Sequence, residues 1–509
     1  METSSLLTSP SSTNDFFYSH LPKRMDRLPF RKFHVLVALA LGISWTLDGL
    51  AVSHLNTIAP ILEDLWNLTD AESGTTVSIY LVSCVIGSLS AGSLIDAIGK
   101  KRLYRLLPTI FVTSMFVQSI SKNILMFNIV TFFIGLSLGG EYILCLSSLS
   151  EFIPARNRGA LSMIFSSCYW LGSATIAAAS LILFDERYVP HKYGFRIPFL
   201  LSGVFGIFII FLRSYIPESP RWLLSKKKFS QAEDVVKFIE SKCLKEYDIL
   251  EDLGDPVKVY TRKTSMKQTV GLLFKSYKGR AFLSAVLMIS QAFVFNSIFA
   301  TFTKILKHEY GVPEEHYGYF LIPFSVINFL GSSIIGSFID KLGRKFVITS
   351  TFGLAGGLLI GTGYLYYTSW FTATTQTIGW VSVFFFASAA ASSAYLSIAE
   401  LFPAKIRASS IAFMYSLGTL CGAIGPILFG RLLDLTREQK DRKYMYYGYL
   451  IAGGGALFAS VCEIFLGVSA EGKSLEELEI GEDGSSEEES EGDVVVEDEL
   501  LVHRKSINV

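Results

Sequence analysis

What most constrains this chain is a series of long runs that are apolar on every side. They span 33–62, 74–98, 103–121, 123–150, 159–184 and 195–216, then, after a polar interval, 281–303, 316–340, 345–367, 371–401, 408–433 and 444–468. A helix needs about 20 residues to cross the hydrocarbon core of a bilayer, whereas membrane strands run about ten residues with strict alternation. In lipid every backbone N–H and C=O must be bonded, so runs of this length read as helices. The expected fold is all-α: a membrane protein of twelve transmembrane helices in two pseudo-symmetric six-helix bundles. Composition agrees, with 50% hydrophobic and 18% charged residues among 509, against about 25% charge in a soluble domain. A water-soluble enzyme does not fit.

The flanking segments divide the chain further. Residues 1–32 are polar, lack the pattern of a signal peptide, and are expected to be a disordered cytosolic tail. The first bundle takes 33–216 and the second 281–468. Between them, 217–280 reads as a cytosolic linker with amphipathic helices, because Trp222, Leu223, Phe229, Ala232, Val235, Val236 and Ile239 recur at three-to-four spacing. Residues 469–509, with Glu487, Glu488, Glu489 and Glu491 amid serines, are expected to be an acidic disordered cytosolic tail. An even helix number puts both termini on one side, and Lys100, Lys101, Arg102, Arg105, Lys341, Arg344 and Lys345 make that side cytosolic. Segment 434–443 dissents: it falls outside by helix count yet carries Arg437, Lys440, Arg442 and Lys443. Asn67-Leu68-Thr69 is a glycosylation sequon on the loop expected outside. Glu2-Thr3-Ser4-Ser5-Leu6-Leu7 matches an acidic-dileucine sorting pattern, leaving the plasma membrane and an endosomal, lysosomal or vacuolar membrane both open.

The two halves repeat each other. Gly92-Ser93-Leu94-Ile95-Asp96-Ala97-Ile98-Gly99-Lys100-Lys101 is answered by Gly336-Ser337-Phe338-Ile339-Asp340-Lys341-Leu342-Gly343-Arg344-Lys345. Downstream, Glu151 and Pro154 with Arg158 are answered by Glu400 and Pro403 with Arg407 at identical spacing. Gly92 and Gly336 let a neighbouring helix approach closely, while Gly99 and Gly343 reverse the chain beside Asp96 and Asp340. Each Asp is placed to meet a helix N-terminus and an Arg. The pairs Asp96–Arg158 and Asp340–Arg407 are expected to lock the cytosolic ends of helices together in one state and to break in the other.

On these motifs the sequence resembles the major facilitator superfamily over nearly all of 33–480. Pro217-Glu218-Ser219-Pro220-Arg221-Trp222-Leu223-Leu224 is similar to the element that follows helix six in its sugar-porter and metabolite:proton-symporter branches. Ala470-Glu471-Gly472-Lys473-Ser474-Leu475-Glu476-Glu477 is similar to the closing element of the same branches, without its leading Pro. The resemblance implies alternating access by two rocking bundles around a central site. Lys100 stands where the family usually has Arg, which weakens any bidentate pairing in the first half.

An ionisable group deep in a membrane bundle costs about 2.5–3.5 kcal/mol and needs a reason. Asp48, about 22 Å of helix past Phe33, is the first candidate for proton binding or cation pairing. Glu141, about 15 Å of helix before Glu151, is the second. Gln291, Asn296 and Asn328 are candidates for hydrogen-bonding a solute, and each is equally a means of joining helices. Glu463 reads as structural, and Phe384-Phe385-Phe386 with the small residues Ala387 to Ala394 reads as packing. Arg196, Arg213, Lys304 and Arg431 lie at or near span ends, so no buried base is expected for a dianion. Without a Walker A loop ATP does not drive the cycle. The cysteines lack CxxC spacing, so no metal is expected, nor any cofactor or nucleic-acid partner. Together these features point to a monomeric secondary carrier that moves a small neutral or cationic solute, a sugar or metabolite, with a proton. A facilitative uniporter, an organic-cation exporter and a non-transporting solute sensor remain alternatives.

Overall fold

The structure is a computed structural model that describes residues 16–68, 70–183, 187–245, 256–260, 266–313, 316–403 and 406–467. The acidic tail, the dileucine pattern and Thr69 of the sequon lie outside the described residues. A strand β1 (Phe16–Ser19) and a short helix α1 (Leu21–Asp26) precede the first bundle, which contains α2 (Lys32–Trp66), α3 (Asp70–Ile98), α4 (Lys100–Ser119), α5 (Ile124–Phe152) and α6 (Ala155–Leu183). After one turn of helix, α7 (His191–Gly194), α8 (Arg196–Arg213) completes that bundle. The linker holds α9 (Pro220–Ser225), α10 (Phe229–Cys243), β2 (Val257–Tyr260) and α11 (Met266–Lys275). The second bundle contains α12 (Lys278–Tyr310), α13 (Tyr317–Leu342), α14 (Arg344–Tyr367), α15 (Ala373–Glu400), α16 (Arg407–Gly422), α17 (Ile424–Gln439) and α18 (Lys443–Leu466).

Eleven of these spans are apolar and long enough to cross a bilayer, counting α16 and α17 as one. The twelfth is α4, whose first turn carries Lys100, Lys101, Arg102 and Arg105 and dilutes its apolar character. The break between α16 and α17 has a local cause. Pro426 has no N–H to give the carbonyl four residues back, at Gly422, and its ring crowds that turn. Segment 434–443 joins two real spans, at the end of the molecule away from the linker: 434–439 finish α17 and the chain turns over 440–442 before α18. Two of its bases are matched by acids: Arg442 lies 3.4 Å from Glu309 and Lys443 lies 2.8 Å from Asp441.

The first 32 residues are not a structureless tail from Phe16 onward. Strand β1 pairs antiparallel with β2, Phe16 opposite Tyr260 and Ser19 opposite Val257. Phe17, Leu21, Met25 and Leu28 are buried in one cluster with Leu223, Leu224, Val236 and Ile239. Phe17 meets Phe229 edge to face at 5.0 Å. Arg24 is clamped by Glu240 at 2.6 Å and Glu233 at 2.8 Å, and these two carboxylates hold its guanidinium firmly charged. Polar composition concealed four well-spaced apolar residues that the linker helix α10 covers.

The bundles meet chiefly along two helix pairs, α3 with α16 and α6 with α13, with α15 also touching α5 and α6. Both motif glycines lie on these seams. A Cβ on Gly336 would stand 2.6 Å from Met163 Cβ on α6, and one on Gly92 would stand 3.3 Å from Ala412 Cβ on α16. Gly92 and Gly336 lie towards the end of the molecule that carries the linker, called the linker face below, while the α6–α13 seam continues to the other end, where Gly318 meets Leu181.

Candidate functional site

Between the bundles lies a cavity of about 100 Å³. Its first wall carries Trp45 of α2, Tyr142 of α5, and Ser166, Tyr169 and Trp170 of α6. The facing wall carries Gln291 and Phe295 of α12, Asn328 of α13, Phe352 of α14, and Phe384 and Tyr395 of α15. Rings from both bundles interlock: Trp45 stands edge to face with Tyr142 at 4.5 Å and with Tyr395 at 5.5 Å, and Trp170 does the same with Phe295 at 5.4 Å.

Asp48 sits directly behind this wall. It is 2% exposed and accepts hydrogen bonds from the Tyr80 hydroxyl at 2.8 Å and from the Tyr142 hydroxyl. Tyr142 therefore has its ring on the cavity and its hydroxyl on the carboxylate. Asn328 is fully buried, and its amide nitrogen donates to the Phe324 carbonyl at 2.8 Å while its Oδ1 has no hydrogen-bond partner. Gln291 stands against the Tyr395 hydroxyl.

Glu141 lies beside Asp48 in a small pocket behind the wall, with Trp45 and Tyr142, and its carboxylate pairs with Arg213 at 2.5 Å. Arg213 ends α8 but turns inward, fully buried, and also donates to the Ala40 carbonyl at 3.2 Å and to Ser44 Oγ at 2.7 Å. A buried base thus exists, already neutralised within the first bundle. Asn296 faces helix α16 beside Gly422, away from the cavity. Conversely, Phe384, Ala387, Ser388 and Ser392 of α15 are cavity wall and not mere packing.

At the linker face the repeated motifs form two related charge clusters. Gly99 and Gly343 take φ of 86° and 92°, a backbone conformation that strains any side chain, and each lets the next helix start at once. In the first bundle Lys100 Nζ meets Glu151 at 2.9 Å and the Ser147 carbonyl at 2.9 Å. In the second, Arg344 holds Glu400 through two nitrogens, one of them at 3.0 Å. The Lys meets its carboxylate through one nitrogen where the Arg makes a fork, as the substitution at position 100 predicts. Arg158 of α6 reaches across the seam to Glu400 at 3.7 Å. Asp340 accepts from the Ala160 backbone N–H at 2.8 Å, near the start of α6, and lies 3.3 Å from Arg344. The helix N-terminus expected for this Asp is there, but its guanidinium is Arg344 and not Arg407, which bonds the Phe402 carbonyl instead.

The element starting at Pro217 fastens the linker to the first cluster. Glu218 accepts from the backbone N–H groups of Lys100 at 2.9 Å and Lys101 at 3.2 Å, capping α4 from outside its own helix. Ser219 caps α9 through Trp222 N and donates to Glu151, while the Trp222 indole donates to the Asp96 carbonyl at 3.2 Å.

The profile of the family described as "Sugar (and other) transporter" matches residues 8–481. The chain belongs to that family. Among curated relatives, the niacin transporter NiaP of Acinetobacter baylyi is 24% identical over 477 residues, covering 90% of this chain and 99% of its own. The glucose transporter GlcP of Staphylococcus epidermidis is 23% identical over 417 residues, covering 81% and 89%. The proton:xylose symporter XylE, of the major facilitator superfamily and bound to 6-bromo-6-deoxy-D-glucose, matches with a TM-score of 0.72 at 19% identity, covering 88% of this chain and 98% of that one. A partially occluded inward-open form of XylE from E. coli gives 0.62 at 18% identity, covering 87% and 100%. This transporter is accordingly a multi-pass membrane protein of the major facilitator fold and not an enzyme.

Sequence reasoning missed most of the transporter's cavity wall. Its aromatic rings are the same residue types that fill any membrane core, so only their convergence in space sets them apart. The signal available was that Trp45, Tyr142 and Tyr169 interrupt apolar runs with groups carrying a polar tip.

Proposed function

We propose that the chain is a secondary active transporter that moves a small organic solute, neutral or cationic, together with a proton. Asp48 carries this reading. It is a carboxylate deep in the first bundle, held by tyrosines from α3 and α5, and Tyr142 connects it to the cavity between the bundles. A solute that displaces Tyr142 alters the hydrogen bonding of a carboxylate beside the cavity, which supplies a physical link between solute occupancy and proton binding. The names of relatives span sugars and niacin, so they support a metabolite class without choosing within it.

In the same reading the linker face is cytosolic and both termini lie there, because its loops carry Lys100, Lys101, Arg102, Lys341, Arg344 and Lys345. The Glu400 cluster and the glycine seams are the gate on that side. Asn67, exposed at the opposite end of α2, is then on the outer face and available for glycosylation in a cell that supplies it. The working unit is the monomer, in the plasma membrane or an endosomal, lysosomal or vacuolar one.

Purified protein in liposomes, tested for solute uptake with and without an imposed pH gradient, decides the matter. Wild type is expected to concentrate solute only with the gradient, and Asp48→Asn to lose concentration while retaining exchange at equal pH. Uptake against a gradient that persists in Asp48→Asn would remove this carboxylate from coupling.

A further inference from the structure

Outside the gate clusters the linker face holds a second concavity, a groove of about 660 Å³ between the start of α4 and the helices α9 and α10. Lys101, Arg102 and Arg105 of α4 line one side, and Lys226 and Lys228 of the α9–α10 turn line the other. All five are exposed, and among the described residues none of their side chains has a carboxylate within salt-bridge reach. Glu218 is the one acid among the described residues of the wall, and its oxygens already accept from the backbone N–H groups of Lys100, Lys101 and Ser219. Five cations against one carboxylate leave four positive charges in excess. Like charges gathered in one groove repel, which favours an anion between them. Trp222 lies on the same wall, with the Lys226 and Lys228 ammonium groups 5.9 and 5.7 Å from its ring, so the charges of that turn are gathered at one place. Helix α10 begins there with no side-chain cap and no acid in its first turn, and its N-terminal N–H groups add to the positive field.

The groove also meets the lipid. On α4 the exposed positions Lys101, Arg102, Arg105, Leu106, Thr109 and Thr113 recur at three-to-four spacing, so the cations head the same stripe that faces acyl chains further along the span. Just past α8, which packs on α4, Tyr215 is exposed at this end, as suits a ring at headgroup level. A basic pocket beside a span at that level is a place for an anionic headgroup. Phosphatidylserine carries one net negative charge and would leave most of the excess unmatched. An inositol lipid with two phosphomonoesters carries about 1.5–2 charges on each, besides its diester, and matches it. Arginines offer forks to phosphate oxygens and lysines offer compact charges. We propose that the groove binds the headgroup of a polyphosphorylated inositol lipid, its phosphates shared between Arg102 and Arg105 on one side and Lys226 and Lys228 on the other, its acyl chains along the α4 stripe. The chain's own acidic segment, Glu482 to Asp493, has the charge but no acyl chain for that stripe. The inference goes beyond the transport reading and needs neither its solute nor its proton.

The test is native mass spectrometry of the full chain released from phosphatidylcholine nanodiscs that also contain either a phosphatidylinositol bisphosphate or phosphatidylserine at matched surface charge. One bisphosphate lipid per chain is expected to be retained, with at least tenfold preference over phosphatidylserine. Arg102→Gln with Arg105→Gln, and Lys226→Gln with Lys228→Gln, should each weaken retention at least tenfold. The substituted groove residues are exposed, so these variants are expected to keep the fold. Lys341→Gln with Lys345→Gln removes the same charge from the linker face of the second bundle and should change retention less than twofold. Free inositol trisphosphate is expected to compete only at hundredfold excess or more. Equal retention of phosphatidylserine, an equal loss in the Lys341 and Lys345 pair, or no retention at all overturns the proposal. Competition by free trisphosphate at parity would assign the groove to a soluble polyphosphate, and a tenfold gain in retention on deleting residues 482–499 would assign it to the acidic segment; either result also overturns it.

Discussion

Neutralising Glu400 tests whether the linker-face cluster sets the balance between states. Glu400→Gln keeps the side chain's volume and removes the charge that Arg344 and Arg158 both face. The Arg344 contact lies within the second bundle and is lost in every state, so it changes stability and not the balance. Only the Arg158 contact crosses between bundles. At 3.7 Å and an effective dielectric constant of about 20, the crossing attraction is about 4.5 kcal/mol before desolvation is subtracted. Desolvation of two buried groups cancels much of that, leaving about 1–2 kcal/mol, or a factor of about 5–30 in population. Spin labels on Arg156→Cys and Lys341→Cys, at the linker-face ends of α6 and α13, report the separation of the bundles in liposomes. Glu400→Gln should raise the ratio of linker-open to linker-closed molecules by that factor. Glu141→Gln breaks an equally buried pair inside one bundle and should lower thermal stability by about 3–5 kcal/mol with no change in the distance distribution. An unchanged distribution in Glu400→Gln, or an equal shift in Glu141→Gln, refutes the reasoning.

Gly336→Val places a branched side chain where even a Cβ would lie 2.6 Å from Met163 Cβ, so the same labels should report a mainly linker-open protein; a closed distribution would show that α6 yields instead. Glu218→Ala removes the external cap of α4, which should cost about 1 kcal/mol and expose the linker to faster limited proteolysis. Burial pushes the Cys243 thiol up to about 11, so maleimide labelling at pH 7.5, mapped by peptide mass spectrometry, should be slow. Arg24→Ala unclamps α1 from α10 and should speed that labelling several-fold; an unchanged rate would mean the apolar contacts of Phe17, Leu21 and Met25 hold the arm without it.

By itself the sequence determined the twelve spans, the bundle repeat and the residues of the linker-face clusters. Hydrocarbon forces backbone bonding into helices, and a motif used twice declares its own importance. Positions such as Gly99 and Gly343 were legible because the geometry they require is local. What the tertiary structure decided was who meets whom. Arg213 lies at a span end in the sequence, and only the inward turn of α8 against α2 and α5 makes it the partner of Glu141. Asp340 found Arg344 and the start of α6 in place of Arg407, because its neighbours come from two different bundles. The arm from Phe16 to Asp26 folds only because a helix more than two hundred residues away covers it. The cavity was the least legible part of all. Each of its rings is an ordinary membrane-core residue along the chain, and the void they leave belongs to the arrangement of eight helices and to no single one of them.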